Sequence, residues 1–238
     1  MNHFSVAITT FNRPEMTLRA IKSVINNPLC DEIVIVDDSS TPENIDELRR
    51  LPENNPDLRI QFRDKLKLIV NPENVGMSRN KNKAIYCCKN EKVLILDSDN
   101  YLIDGFFEAA QAYIHMPNTL LMPEQAMPEF IYTEFVGRII DRNTVKQFLG
   151  IPMFQVLLNT GNYIVPRELY HTTFEYNPEI KETDVLWFNY LWLKAGYKFF
   201  IVPGMNYIHD VHAGSAWLQN VNYNLKKGNE IIDLISNL

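Results

Sequence analysis

Short apolar runs that end in polar residues alternate along this chain with stretches whose apolar positions fall three or four apart. Residues 4–10, 32–36, 67–70 and 93–96 are runs of the first kind, and Val93, Leu94, Ile95 and Leu96 form the most continuous of them. A strand buried on both faces needs such a run, with β-branched side chains favoured. Between the runs lie helical stretches. Residues 16–26 carry Leu18, Ile21, Val24 and Ile25 behind the start signals Pro14 and Glu15. Thr41, Pro42 and Glu43 open a second helix through about residue 51, and residues 77–88 form a third. Residues 51–65, polar and proline-containing, read as a surface loop. Strand and helix thus alternate, the pattern of an α/β protein with a parallel sheet and right-handed crossovers.

The second half is less regular. A helix over 106–115 and a strand over 119–123 precede residues 124–153, where Phe130, Tyr132, Phe135 and Phe148 are scattered among polar positions. A polar loop at 159–163 enters a strand, and Gly161 within it marks a close backbone approach or an ordinary turn. Thr183 and Asp184 cap an apolar helix over 185–195, closed by Gly196. Residues 197–203 read as the last strand, and 221–238 as a helical tail with Ile231, Ile232, Leu234 and Ile235 apolar and Gly228 as a break. That tail is free to pack on the body or on a second copy, so a homo-oligomer stays open.

Composition narrows the class. In 238 residues, 46% hydrophobic and 22% charged, one large α/β domain can be buried and kept soluble. The net charge of −6 argues against a nucleic-acid surface or a polybasic membrane anchor, so an anionic substrate would need local positive charge, such as a metal. Three cysteines, Cys30 with the adjacent Cys87 and Cys88, give no disulfide framework and suit a reducing compartment. With no leader pattern at the N-terminus and no run of about 18 apolar residues, neither secretion nor a transmembrane helix is expected. The expected location is cytoplasmic, with peripheral attachment to a membrane compatible.

The strand ends carry the chemistry. Thr9, Thr10, Phe11 and Asn12, then Asp37 and Asp38, then Asp97, Ser98 and Asp99 follow successive strands, at the rim where open α/β sheets bind ligands. Asp97 and Asp99 lie two residues apart and repel unless a cation sits between them. Mg²⁺ or Mn²⁺ takes oxygen ligands and bridges protein to a diphosphate, whereas the competing reading is a turn with an Asx cap. Phe11 offers a face on which a base could stack, or else packs in the core, and Asp37 could accept from a base N–H. Arg79, Lys81 and Lys83 stand in the first turns of their helix, where cations oppose the dipole. Either Arg79 or Lys81 meets a phosphate there, or the face is simply solvated. His209 and His212, three apart in a polar loop, are candidates for a metal or diphosphate contact, His212 slightly preferred.

In order and separation these motifs resemble the family 2 glycosyltransferases of the GT-A fold. The matching residues are 5–13 (Ser-Val-Ala-Ile-Thr-Thr-Phe-Asn-Arg), 35–40, Asn74-Val75-Gly76 with Arg79-Asn80-Lys81-Asn82, and 96–100. The resemblance implies a single domain with a mixed, mostly parallel sheet flanked by helices. Residues 1–104 would form its nucleotide-binding half, and 105–238 its acceptor half with the C-terminal helix. It places Thr9, Phe11, Asn12, Arg13, Asp37, Asn74, Gly76, Asp97 and Ser98 toward the nucleotide, with Lys81 as the match for a basic residue before the helix Asn and Arg79 as an extra candidate. It gives Asp99, with His212 or His209, to Mn²⁺ or Mg²⁺; Asn100 stands where many members carry another Asp. Asp184, by its distance to Gly196, is the implied catalytic base, with Glu182 second, because Thr183 splits an acidic pair that most members keep adjacent. The implied activity is inverting transfer of a sugar from a nucleotide-diphosphate donor, UDP first, to a hydroxyl of a glycan, lipid-linked or protein acceptor. Two rivals share the features: a nucleotidyltransferase making a nucleotide sugar, whose glycine- and arginine-rich phosphate loop is missing here, and a non-catalytic nucleotide-sugar-binding subunit.

Overall fold

The computed structural model describes residues 3–210 and 214–238. Its first half alternates as the apolar runs predict: β1 (Phe4–Thr10), α1 (Pro14–Val24), β2 (Cys30–Asp37), α2 (Pro42–Arg49), α3 (Leu51–Asn54), α4 (Arg59–Lys65), β3 (Leu66–Val70), α5 (Met77–Tyr86) and β4 (Lys92–Asp97). Thr41 caps α2, accepting from the Asn44 N–H, and Pro42 follows in its first turn. The second half adds β5 (Tyr101–Leu102), α6 (Phe106–Gln111), β6 (Thr119–Met122), β7 (Gln125–Met127), β8 (Phe130–Ile131), β9 (Ile139–Ile140), α7 (Pro152–Leu158), β10 (Ile164–Pro166), α8 (Arg167–Thr173), α9 (Asp184–Lys194), β11 (Lys198–Ile201), β12 (Asn206–Ile208), α10 (Ala216–Gln219) and α11 (Val221–Ser236).

Eight strands form one sheet in the order β3-β2-β1-β4-β10-β6-β11-β9. It is mixed and mostly parallel: among the described residues only β10 and β9 run against their neighbours. The chain steps from β1 outward to β2 and β3, then returns to lay β4 on the other side of β1. That reversal is a topological switch point, where the connections leave a crevice beyond the strand ends. In register, Thr9 stands opposite Asp97 across it, and Thr10 opposite Asp37 on the other flank.

A second sheet, β5-β12-β7-β8, sits apart from the first. Its strands are two or three residues long, too short for a period-2 pattern to register in sequence, and β12 comes after what reads as the last strand. Residues 51–65 are not a loop. Leu51 and Phe62 are buried anchors, so this polar segment folds as α3, a 3₁₀ turn and α4. Gly228 does not break the tail either: α11 runs through it and packs there on α9, where a Cβ would meet Leu186 Cδ2 at 3.9 Å. Along α9, residues from Asp184 through Val185 and Leu186 to Leu193 are buried almost all round, Trp192 completely. A helix so enclosed carries no amphipathic stripe. Among the described residues no helix is long and apolar enough to cross a membrane.

Leu94 is wholly buried and is paired to Val6 of β1 and Ile164 of β10. Leu94→Ala is therefore expected to cost about 2–5 kcal/mol, read as a lower midpoint in urea with the slope of the transition unchanged.

Candidate active site

Beyond the switch point lies a cleft of about 700 Å³, within the range of small-molecule sites. Its first wall comes from the strand ends. Thr9 stands near the end of β1 with Phe11 just beyond it, and Asp97 ends β4 with Ser98 and Asp99 just beyond it. Phe11 is 46% exposed, so it is a surface of the cleft and not a core side chain. The opposite wall is α9, which begins at Asp184, with Glu182 just before it and the C-terminal helices beyond. The small sheet supplies Phe130 and His209, whose rings lie 5.4 Å apart.

At the floor, one ammonium is shared. Lys81 Nζ lies 3.2 Å from Asp184 Oδ2 and 3.4 Å from Asp97 Oδ1. Burial alone would lower the Lys81 pKa, but Asp184 and Asp97 outweigh it and hold the ammonium above its ordinary value. For Asp184, burial raises the carboxyl; Lys81 pulls it back only in part, and Asp97 adds repulsion. The side chain of Lys81 is therefore engaged by carboxylates. Gly161 closes the floor from below. A Cβ there would stand 2.8 Å from Asp97 Oδ2 and 3.4 Å from Val185 Cγ2, so this glycine does mark a close approach. Asn162, next in the chain, accepts from the Asp97 N–H at 2.8 Å.

Asp99 faces a cation too. Arg13 Nη1 lies 2.6 Å from its Oδ2, and the same guanidinium donates to the Gly214 carbonyl at 3.1 Å. Arg19 binds the Asp99 carbonyl at 2.8 Å and reaches the Asp210 carboxylate. Asn100, buried, accepts from the Asp210 N–H, which ties the end of β4 to the segment after β12.

Several predicted residues stand behind the cleft and not in it. Asp37 is fully buried and spends both oxygens on Ser40; its neighbour Asp38 lines the cleft instead. Asp38 also holds the 71–76 loop, accepting from Val75 N, Gly76 N and Asn71 Nδ2 at 2.8–2.9 Å, while Asn74 donates to its carbonyl. The amides before α5 thus meet a protein carboxylate. Gly76, at φ +84°, takes a conformation that favours glycine. Asn12 joins the end of β1 to the start of α2 by accepting from Thr41 N and Asn44 Nδ2. Arg79 lies on the Tyr176 ring, 3.9 Å from its centroid, away from the cleft, so of the two basic candidates Lys81 alone is at the floor. His212 lies outside the described residues. Sequence reasoning named Asp38 at the rim but gave the binding role to Asp37, and it passed over the roles of Asn162 and Arg19, which no local motif marks.

Residues 5–126, just over half of the chain, match the family described as glycosyl transferase family 2. The chain belongs to that family. A curated relative, the GalNAc(5)-diNAcBac-PP-undecaprenol beta-1,3-glucosyltransferase of Campylobacter jejuni, is 26% identical over 151 residues, which are 60% of this chain and 45% of the relative. The chain thus spans less than half the length of that relative. Among solved structures, S. aureus TarS 1-349 with UDP-GlcNAc superposes with a TM-score of 0.69 at 16% identity, over 98% of this chain and 66% of that one. The mannosyltransferase PcManGT of Pyrobaculum calidifontis, solved with GDP-Man and Mn²⁺, gives 0.67 at 16%, over 98% and 69%. The fold of this family 2 member is GT-A.

Among the described residues, no three His, Cys, Asp or Glu side chains converge to cage a metal by themselves. Asp97 and Asp99, both on the cleft, offer carboxylate oxygens to an ion that would complete its shell with ligand oxygens.

Because burial raises the Asp184 carboxyl, its contribution to stability is full below the unfolded carboxylate pKa and is lost as pH rises through the higher folded value. Asp184→Asn stays neutral throughout. Its stability relative to the unchanged protein is expected to improve as pH rises from about 3 to 7, followed by thermal midpoints. A difference that stays constant across that range would mean no raised carboxyl.

Proposed function

We propose that this family 2 member is an inverting glycosyltransferase that moves a sugar from a nucleotide-diphosphate donor, UDP-sugar first, to the hydroxyl of a glycan acceptor. The observation that carries this reading is the convergence of Phe11, Asp97 and Asp99 with the buried Asp184 on one cleft at the switch point. The two sides offer different chemistry. The strand-end wall has an exposed aromatic for a base and carboxylates for a cation; the α9 wall has a carboxylate held for protons.

Asp184 is the base. Its raised proton affinity suits taking the acceptor hydroxyl proton as oxygen attacks the anomeric carbon in line. Lys81 orients it and keeps it clear of Asp97. Phe11 and Asp38 hold the nucleoside end, and Arg13, at the edge of the cleft on Asp99, is the side chain placed to meet the diphosphate. Asp99, with Asp97, would hold Mn²⁺ or Mg²⁺, which would supply Lewis-acid stabilisation of the departing diphosphate. Support for a nucleotide-sugar donor comes from the two solved structures, one with UDP-GlcNAc and one with GDP-Man, and for the ion from the Mn²⁺ in the second.

The test separates binding from turnover. UDP with Mn²⁺ is expected to raise the thermal midpoint by mass action. Asp99→Asn should weaken UDP binding at least about tenfold, whereas Asp184→Asn should keep it and lose about 10²–10⁴-fold in transfer. A protein that binds none of the common nucleotide sugars sinks the reading, and full transfer by Asp184→Asn removes the base assignment.

A further inference from the structure

The cleft continues past Asp184 onto a wall that the donor chemistry does not use. Here α10 and α11 contribute Trp217, Leu218, Asn224, Leu225 and Ile232. Two features of this wall call for an occupant.

The first is a set of acceptor oxygens with nothing to accept from. Glu182 Oε1 takes a hydrogen bond from Asn220 Nδ2 at 3.0 Å, but Oε2 is buried without a partner. Asn224 is fully buried; its Nδ2 donates to the Trp217 carbonyl at 3.3 Å, and its Oδ1 is unpartnered. Asn159 Oδ1, on the same cleft, is also buried and unpartnered. A buried acceptor left unmade costs about 1–3 kcal/mol. Three residues lining one cavity each carry such an oxygen, and a turn of the side chain toward the cavity would satisfy it with a ligand rich in O–H donors; a saccharide presents several on one ring. Trp217 lines the same cleft and offers an apolar face on which the C–H side of a pyranose can lie.

The second is apolar surface leading outward. Leu218 is 49% exposed and Leu225 54%, and both line the cleft, so the wall carries apolar surface that the protein leaves uncovered. A purely polar glycan would leave this strip wet.

We propose that the α10–α11 wall is the acceptor site, and that it takes a saccharide with an apolar aglycone: hydroxyls on Glu182, Asn224 and Asn159, the ring on Trp217, and the aglycone along Leu218 and Leu225. Glu182 then binds the acceptor, and Asp184 beside it removes the proton. This rests on the glycosyltransferase reading but names the substrate class of its second half.

Alkyl glycosides test it in the full chain with UDP and Mn²⁺ present. Of the three tryptophans, Trp217 is the one on this cleft, so emission reports occupancy. Below its micellar concentration, at least one of octyl glucoside, octyl galactoside and octyl N-acetylglucosaminide should change the emission saturably. The matching methyl glycoside should need at least tenfold more, and octanol should not reproduce the change. Trp217→Phe should abolish it, and Asn224→Ala should weaken octyl-glycoside binding at least tenfold. Leu225→Ser, at an exposed position that leaves the fold intact, should shrink the octyl-over-methyl preference. UDP affinity measured in each variant confirms that it is folded. If UDP binds but no glycoside does, or octanol serves as well, or Trp217→Phe still responds, the acceptor proposal is overturned and the transferase reading stands. If UDP itself fails to bind, the transferase reading falls first, and this one with it.

Discussion

One buried ammonium joins the two halves of this protein. Asp97 ends β4, in the first half; Asp184 begins α9, in the second; and Lys81 lies between them on α5. The Asp184 carboxylate could not be buried so close to Asp97 without it. Removing one partner of such a buried group leaves a charge uncompensated, at a cost of about 3–5 kcal/mol. The same arrangement serves chemistry, because burial raises the proton affinity of Asp184 and the shared cation offsets that only in part. Gly161 belongs to the constraint: any side chain there would strike Asp97 Oδ2, so the carboxylate would have to shift.

Strand order explains why this contact forms at the mouth of a cleft. Since β4 returns to the far side of β1, the loops after the two strands diverge and leave Thr9 and Asp97 facing open space. Asp38 braces one flank by fastening the 71–76 loop, and Arg13 and Arg19 brace the other by fastening Asp99 to the segment after β12. The rim is thus a network of charges already paired within the protein. A donor entering it exchanges partners with these groups and does not meet bare ones.

The division of labour between walls follows from composition. The strand-end wall is acidic and braced by arginines, which suits an ion and a diphosphate. The α10–α11 wall is apolar, with a few oxygen acceptors set into it. A chain with a net charge of −6 can hold an anionic ligand only where such local pairing offsets its overall sign.

Much of this was legible in the residues alone. Buried parallel strands need continuous apolar runs, so β1, β2, β3 and β4 announced themselves, and with them the polar rim that carries Phe11, Asp97 and Asp99. The helix preceded by Asp184 was equally plain. What sequence could not settle depends on distance through space. Arg79 and Lys81 look equivalent along the chain, but two residues turn a helix by about 200°, so one meets carboxylates and the other Tyr176. Asp37 and Asp38 alternate across a strand end, which sends one into a turn and the other toward the cleft. The small second sheet and the polar segment at 51–65 had patterns too short or too sparse to show. The α10–α11 wall, carried by residues more than 30 positions beyond Asp184, exists only because the tail folds back on α9. Local pattern set the elements and their order; packing alone decided which side chains share a cavity, because proximity between distant segments leaves no periodic trace in sequence.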